Sequence, residues 1–315
     1  MTADQAGQPA DRSAEHRSTR HTVLIAGAAN LLVGLVKLAA GILSGSSAML
    51  AEAAHSAADT LNQAFLLRSV RQSERPADTE HPFGYGQERY FWALLAAFGI
   101  FMAGAVFSVF EGVLALRHGS DESPVPGYIA LAVAAVAEGT SLVRAGWQAR
   151  GQARSRNVPF VEHLRSSPDT TVKAAFFEDT AAIVGLVLAA LGLLLRQLTG
   201  SPAFDGAASI AIGALLVAVA FKLGNDNREL LIGHAADPAD RQAIRDEITG
   251  MAGVDALLDL QTMRLGPDHL IVAAKVAFSD GISADQAEDL ADSIDRRLTS
   301  RLPVTPHVFI DPTQT

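Results

Sequence analysis

Six apolar runs, each about as long as a membrane-crossing helix, fill most of the first 223 residues and constrain the fold more than any other feature. They are roughly Val23–Leu43, Ala48–Leu67, Phe91–Leu116, Tyr128–Trp147, Ala174–Leu195 and Ser209–Leu223, the last starting nearer Ala203. A bilayer core about 30 Å thick is crossed by about 20 apolar helical residues. Alanine, leucine, glycine and valine dominate the runs, as in membrane helices whose small residues let backbones approach closely. A large soluble helical core is the competing reading, but so many long runs in succession exceed what buried soluble helices contain. The expected fold is an all-α bundle of six transmembrane helices spanning residues 21–223.

Charge is scarce and unevenly placed. Only 19% of residues are charged, against about 25% in soluble domains. Residues 224–315 hold 8 Lys and Arg against 16 Asp and Glu, while the 17 and 18 in the preceding part nearly balance. The chain therefore reads as an oily domain followed by an acidic one. The net acidic balance disfavours nucleic acid as a partner, and the absence of cysteine excludes thiolate chemistry and disulfides. Residues 1–20 are polar and lack the apolar stretch of a secretory signal, so a disordered tail is expected there.

Loop charge sets the expected orientation. Arg68, Arg71, Arg75 and Arg89 stand between runs two and three, and Arg144, Arg150, Arg154, Arg156, Arg165 and Lys173 between runs four and five. The opposite loops hold only Arg117 and Arg196. Both termini and the acidic domain are thus expected in the cytoplasm. The Ala- and Arg-rich polar segments suggest a bacterial plasma membrane.

Ionisable groups at bilayer depth cost several kcal/mol and need a reason. Run two holds Glu52, His55 and Asp59, and run five holds Glu178 and Asp179; Lys37, Glu111, Glu138 and Asp205 stand in the others. His55 and Asp59, four residues apart, lie about 40° apart and about 6 Å along one helix face. An imidazole and a carboxylate so placed can share one cation, and such a donor set suits Zn²⁺, Fe²⁺, Mn²⁺ or Co²⁺. The same spacing also serves a helix-tightening His–Asp hydrogen bond. The acids of run five favour the cation, because several uncompensated carboxylates in one bundle repel unless they hold cations or protons. Glu111 and Glu138 read as packing acids, paired with Lys37 or with backbone.

Four stretches resemble the cation diffusion facilitator family of divalent metal transporters: the second-helix segment Ser47–Asp59, the cytoplasmic segment His81–Tyr90, Phe177–Ala182 in the fifth run and Ile232–Pro238 at the entry to the last domain. Within the family, the Glu178-Asp179 pair is most like the branch that includes the ninth human zinc transporter. The resemblance implies a homodimer with six membrane helices per chain, exporting a divalent metal, zinc foremost, in exchange for protons. It implies a metal site between helices two and five with His55, Asp59 and Asp179 as ligands, and no resident cofactor and no enzyme activity. Partners are then the metal, protons, lipid and a second copy.

The chain departs from the family at several positions. Ala175 stands where many members carry a fourth ligand; Glu178 is the nearest substitute, although it lies about 100° round the helix from Asp179, and water is the alternative. A non-transporting sensor or partner subunit is the rival reading of that missing ligand. An accessory loop site found in some members retains Asp78 and His81 but ends in Tyr85. Their cytoplasmic zinc positions hold Leu258, Ala274 and Phe309, with Asp311 remaining. His234, His269 and His307 form a different site or are plain surface histidines.

Residues 224–315 read as α-β-β-α-β: a helix from the cap Asp237-Pro238 to about Met251, strands at Ala256–Leu265 and His269–Phe278 around Gly266-Pro-Asp, a helix opened by the capping box Ser283–Gln286, and a last strand at Val304–Ile310. This order is compatible with a ferredoxin-like α+β domain and resembles the family's dimerising domain.

Overall fold

The structure, a computed structural model, describes residues 27–28, 30–116, 123–155, 159–161 and 170–313. The tail expected to be disordered, residues 1–20, and the start of the first apolar run lie outside them. Helices α1 (Asn30–Ser44), α2 (Ser47–Ser73), α3 (Glu88–Ala115), α4 (Val125–Ser155), α5 (Thr170–Thr199) and α6 (Ala203–Gly233) come first. A π-helical turn, Phe101–Ala105, interrupts α3. Then follow α7 (Pro238–Thr249), β1 (Val254–Arg264), β2 (His269–Phe278), α8 (Ala284–Arg301) and β3 (Thr305–Thr313). Four of the described helices are long and apolar enough to cross a membrane: Glu88–Ala115, Val125–Arg154, Phe176–Thr199 and the one that starts at Ala203.

The chain divides into two units. The first comprises the helical segments up to Arg68, those from Trp92 onward and the chain to Asn225; the second comprises Ser69–Phe91 and Asp226–Thr315. The loop after α2 thus groups with the C-terminal unit, and α6 runs on past residue 223, where the change in composition falls. Apolar runs mark only the oily middle of a helix, so α4 and α6 extend beyond them into polar sequence.

In the helical unit the core is built from small side chains, among them Ala48, Ala51, Ala130, Ala134 and Ala189, with Met49, Leu193, Ile212 and Leu216 filling the gaps. One close crossing is glycine on glycine: a Cβ on Gly112 of α3 would lie 2.7 Å from the Gly206 carbonyl of α6, and one on Gly206 would lie 2.7 Å from the Gly112 carbonyl. Meanwhile large apolar side chains point outward, with Phe221 79% and Val136 71% exposed. A water-soluble unit would bury such residues, whereas a lipid-covered one solvates them.

The C-terminal unit has a three-stranded sheet in the order β1-β2-β3. β1 and β2 pair antiparallel and β2 and β3 parallel, the latter joined by the crossover through α8. Leu270, Val272 and Val276 from β2 pack with Ile244 and Ile248 of α7 and Ile294 and Leu298 of α8. The expected capping box is formed: Gln286 N donates to Ser283 Oγ and Ser283 N to Gln286 Oε1. Asp237 stands at the N-cap with Pro238 following it, as expected, but its side chain makes no capping hydrogen bond. A stronger partner takes it: the buried Arg264 guanidinium donates to Asp237 at 3.1 Å and to Asp240 at 3.3 Å.

Candidate metal centre

Helix α2 carries Glu52, His55, Asp59 and Asn62 at spacings of three and four, which places them along one side of the helix. His55 is 2% exposed, and its Nε2 lies 3.2 Å from Asp59 Oδ2. Its Nδ1 is buried and has no hydrogen-bond partner. The i,i+4 relation read from the sequence is therefore realised as a close contact, and that contact suits both a shared cation and a direct hydrogen bond.

On α5 the two neighbouring acids face different helices. Glu178 Oε1 accepts from Asn62 Nδ2 of α2 at 2.7 Å, and Asp179 Oδ2 accepts from Ser141 Oγ of α4 at 2.8 Å. Adjacent residues on a helix diverge by about 100°, so one acid reaching α2 sends the other elsewhere. His55 and Asp59 interact electrostatically with both Glu178 and Asp179. Among the described residues, however, no three His, Asp or Glu side chains converge on one point. The four residues singled out in the sequence thus share one charged neighbourhood without forming a closed cage, and each acid of α5 already accepts a hydrogen bond.

Asn62 and Ser141 escaped the sequence reading. Each stands three residues after an acid, Asp59 and Glu138 respectively, but polar uncharged side chains in apolar helices are too common to signal a role. The charged group of Lys37, Glu52 and Glu138 is also tighter than expected: Lys37 Nζ lies 3.0 Å from Glu52 and 3.6 Å from Glu138, with Lys37 and Glu52 wholly buried.

The accessory positions are otherwise engaged. Tyr85 donates its hydroxyl to Asp78 at 2.8 Å, and the backbone N–H groups of Glu80 and His81 donate to the same carboxylate. These bonds hold Asp78 below the usual carboxylate range. In the C-terminal unit the rings of His269 and His307 stack with centroids 5.7 Å apart, while His234 is exposed and its Nδ1 lies 2.9 Å from the Ala235 carbonyl.

A helical unit with apolar side chains turned outward and ionisable ones buried inside, continued by a small α+β unit, is the architecture of an integral membrane protein with a charged interior. Two family descriptions match the chain: a cation efflux transmembrane domain over residues 23–232 and a cation efflux protein cytoplasmic domain over residues 236–312. The chain belongs to the cation efflux family. It is 36% identical over 257 residues to the proton-coupled zinc antiporter SLC30A9, mitochondrial, of Xenopus laevis, a match covering 81% of this chain and 46% of the relative. It is 34% identical over 254 residues to the metal tolerance protein C4 of Arabidopsis thaliana, covering 79% and 55%. The cation-efflux pump FieF of Serratia proteamaculans is 27% identical over 287 residues, covering 91% and 90%. The chain thus spans about half the length of the first two relatives and nearly all of the third. The family is one of transporters, and the resemblance seen in the motifs is borne out.

Proposed function

We propose that this protein carries a divalent cation, zinc foremost, out of the cytoplasm in exchange for protons. The observation that carries the reading is the buried His55–Asp59 pair on α2, in electrostatic reach of Glu178 and Asp179 on α5. The names of the SLC30A9 relatives, proton-coupled zinc antiporters, support both the ion and the counter-ion. His55 and Asp59 bind the metal first. Asp179 completes the site by exchanging its bond to Ser141 for the metal, and Glu178 or water supplies the position that Ala175 leaves vacant. Facing the cytoplasm, a neutral imidazole and ionised carboxylates favour the cation. Facing outward, protons compete for the same lone pairs and expel it, since metal ligands must be deprotonated.

We take the bundle to be six-spanning, with α1 and α2 as membrane helices beside the four apolar ones, and the C-terminal unit to be a ferredoxin-like domain that pairs two copies. Its α-β-β-α-β order and the crossover joining β2 to β3 support this. The arginine-rich loops support cytoplasmic termini, and the Ala- and Arg-rich polar segments favour a bacterial plasma membrane over the mitochondrial location in the names of the SLC30A9 relatives.

Zinc uptake into proteoliposomes driven by a pH gradient tests the reading. Wild-type protein accumulates zinc far beyond stoichiometric binding, and Asp59→Ala abolishes uptake and zinc-dependent proton flux. A wild-type chain that binds zinc without accumulating it is a sensor or partner subunit, as the missing ligand at Ala175 would allow. Unchanged flux in Asp59→Ala removes the site assignment. The same assay with Mn²⁺, Fe²⁺ and Co²⁺ ranks the ions.

A further inference from the structure

Three buried ionisable side chains from three helices meet outside the set of proposed ligands. Lys37 of α1 lies 3.0 Å from Glu52 of α2 and 3.6 Å from Glu138 of α4. Lys37 and Glu52 are fully buried and Glu138 is 7% exposed. The group borders the proposed metal site on two sides. Glu52 stands three residues before His55 on α2, and its Oε1, which has no hydrogen-bond partner, packs against Gly185 of α5, where any Cβ would collide with it. Lys37 also interacts electrostatically with Asp59 and His55, and Glu138 with Asp59 and Asp179. Of Lys37, Glu52, His55, Asp59, Glu138, Glu178 and Asp179, Lys37 alone carries a permanent positive charge.

Helix packing alone does not account for a lysine here. Burying an ion pair costs about as much as its attraction returns, and apolar side chains of similar volume hold helices together at least as well. The lysine does something an apolar side chain cannot: it places a fixed positive charge beside a site meant to hold a doubly charged ion and then release it. Without it, the surrounding acids bind the cation tightly and retain it.

We propose that Lys37 is a positioning residue for transport, a tethered resident cation that lowers the divalent-ion affinity of the His55–Asp59 site and so permits release. It acts through space and through Glu52 and Glu138, which it holds in place, and does not touch the metal. The inference rests on the transport reading above. A unit charge about 10 Å from a divalent ion, at an effective dielectric constant of about 20, shifts affinity by on the order of a hundredfold. Uptake of a proton by an acid left unpaired reduces this, so a shift of about tenfold is expected.

The test compares full-length wild type with K37M, K37R, E52Q and E138Q, measuring zinc binding by calorimetry in detergent and zinc uptake in proteoliposomes. K37M is expected to bind zinc about tenfold tighter, with lower KM and lower maximal uptake, and K37R to behave as wild type. E52Q and E138Q leave the lysine less compensated and are expected to bind zinc several-fold more weakly. The signs decide: a lysine that only packs helices predicts that K37M and E52Q, which break the same bond, shift affinity in the same direction. Equal-sign shifts, or K37M with wild-type affinity, overturn the proposal. Should K37M fail to fold, E52Q and E138Q decide alone, and wild-type affinity in both overturns it. A wild-type chain that binds no zinc at all removes the transport reading instead.

Discussion

Asp205→Ala should loosen the helical unit by about 3 kcal/mol, because one buried carboxylate ends two helices at once. Asp205 stands in the first turn of α6, where a negative charge favours the helix dipole, and is 1% exposed. It accepts from Ser46 Oγ at 2.7 Å, from the Ser47 backbone N–H at 2.7 Å and from Ser47 Oγ at 3.1 Å. Ser47 opens α2, so Asp205 satisfies an N-terminal donor that the helix itself cannot. Arg196 closes the cluster, donating to the Gly45 carbonyl at 3.0 Å and lying 3.7 Å from the carboxylate. After truncation the two hydroxyls can rotate toward other acceptors, but the Ser47 N–H cannot move. A buried unpaired donor costs about 1–3 kcal/mol, and a lost cap about 1 kcal/mol more. Asp205→Asn keeps an acceptor and should cost about half as much. Equilibrium unfolding of the full-length protein in mixed micles of rising SDS fraction reads the difference. An Asp205→Ala chain within about 0.5 kcal/mol of wild type, the range of a neutral surface change, would refute the capping argument.

Two further predictions concern the C-terminal unit. Gly86 admits no side chain: a Cβ there would lie 2.5 Å from the Leu265 carbonyl and 3.2 Å from Gly266 Cα, both backbone. Gly86→Ala should therefore cost about 1–3 kcal/mol, as overpacking does, and speed amide exchange at residues 78–88; unchanged exchange would show that the contact is not tight. Burial and the neighbouring His307 hold His269 below the ordinary histidine range. Its folded pKa is thus depressed, so the stability tied to its neutral form is present above the unfolded value of about 6.5 and is lost as pH falls through the folded one. His269→Gln should flatten the acid side of the stability profile, and an unaltered profile would show that the pair does not titrate as a unit with folding.

The parts legible in the sequence were those that depend on near neighbours along the chain. The apolar runs located the helices, the i,i+4 spacing brought His55 beside Asp59, and Ser283 and Gln286 announced a capping box that is formed. In each case the partner lies within one turn, so helix or strand geometry alone fixes the contact. The site was only half legible for the same reason: periodicity gives the direction of Glu178 or Asp179 on its own helix, not what stands opposite.

Tertiary structure decided the partners. Lys37 meets both Glu52 and Glu138, Glu178 takes Asn62, Asp179 takes Ser141, and Asp205 serves a helix some 160 residues earlier in the chain. Asp237, well placed to cap its own helix, is drawn to Arg264 because a buried guanidinium without a carboxylate costs more than an uncapped helix end. These pairings follow from where helices cross, and crossings are set by close contacts between small residues distant in sequence, such as Gly112 against Gly206. Local propensity carries no information about such contacts, so the amino-acid order alone determined a charged membrane bundle with a His–Asp pair, while packing determined which charges neutralise one another.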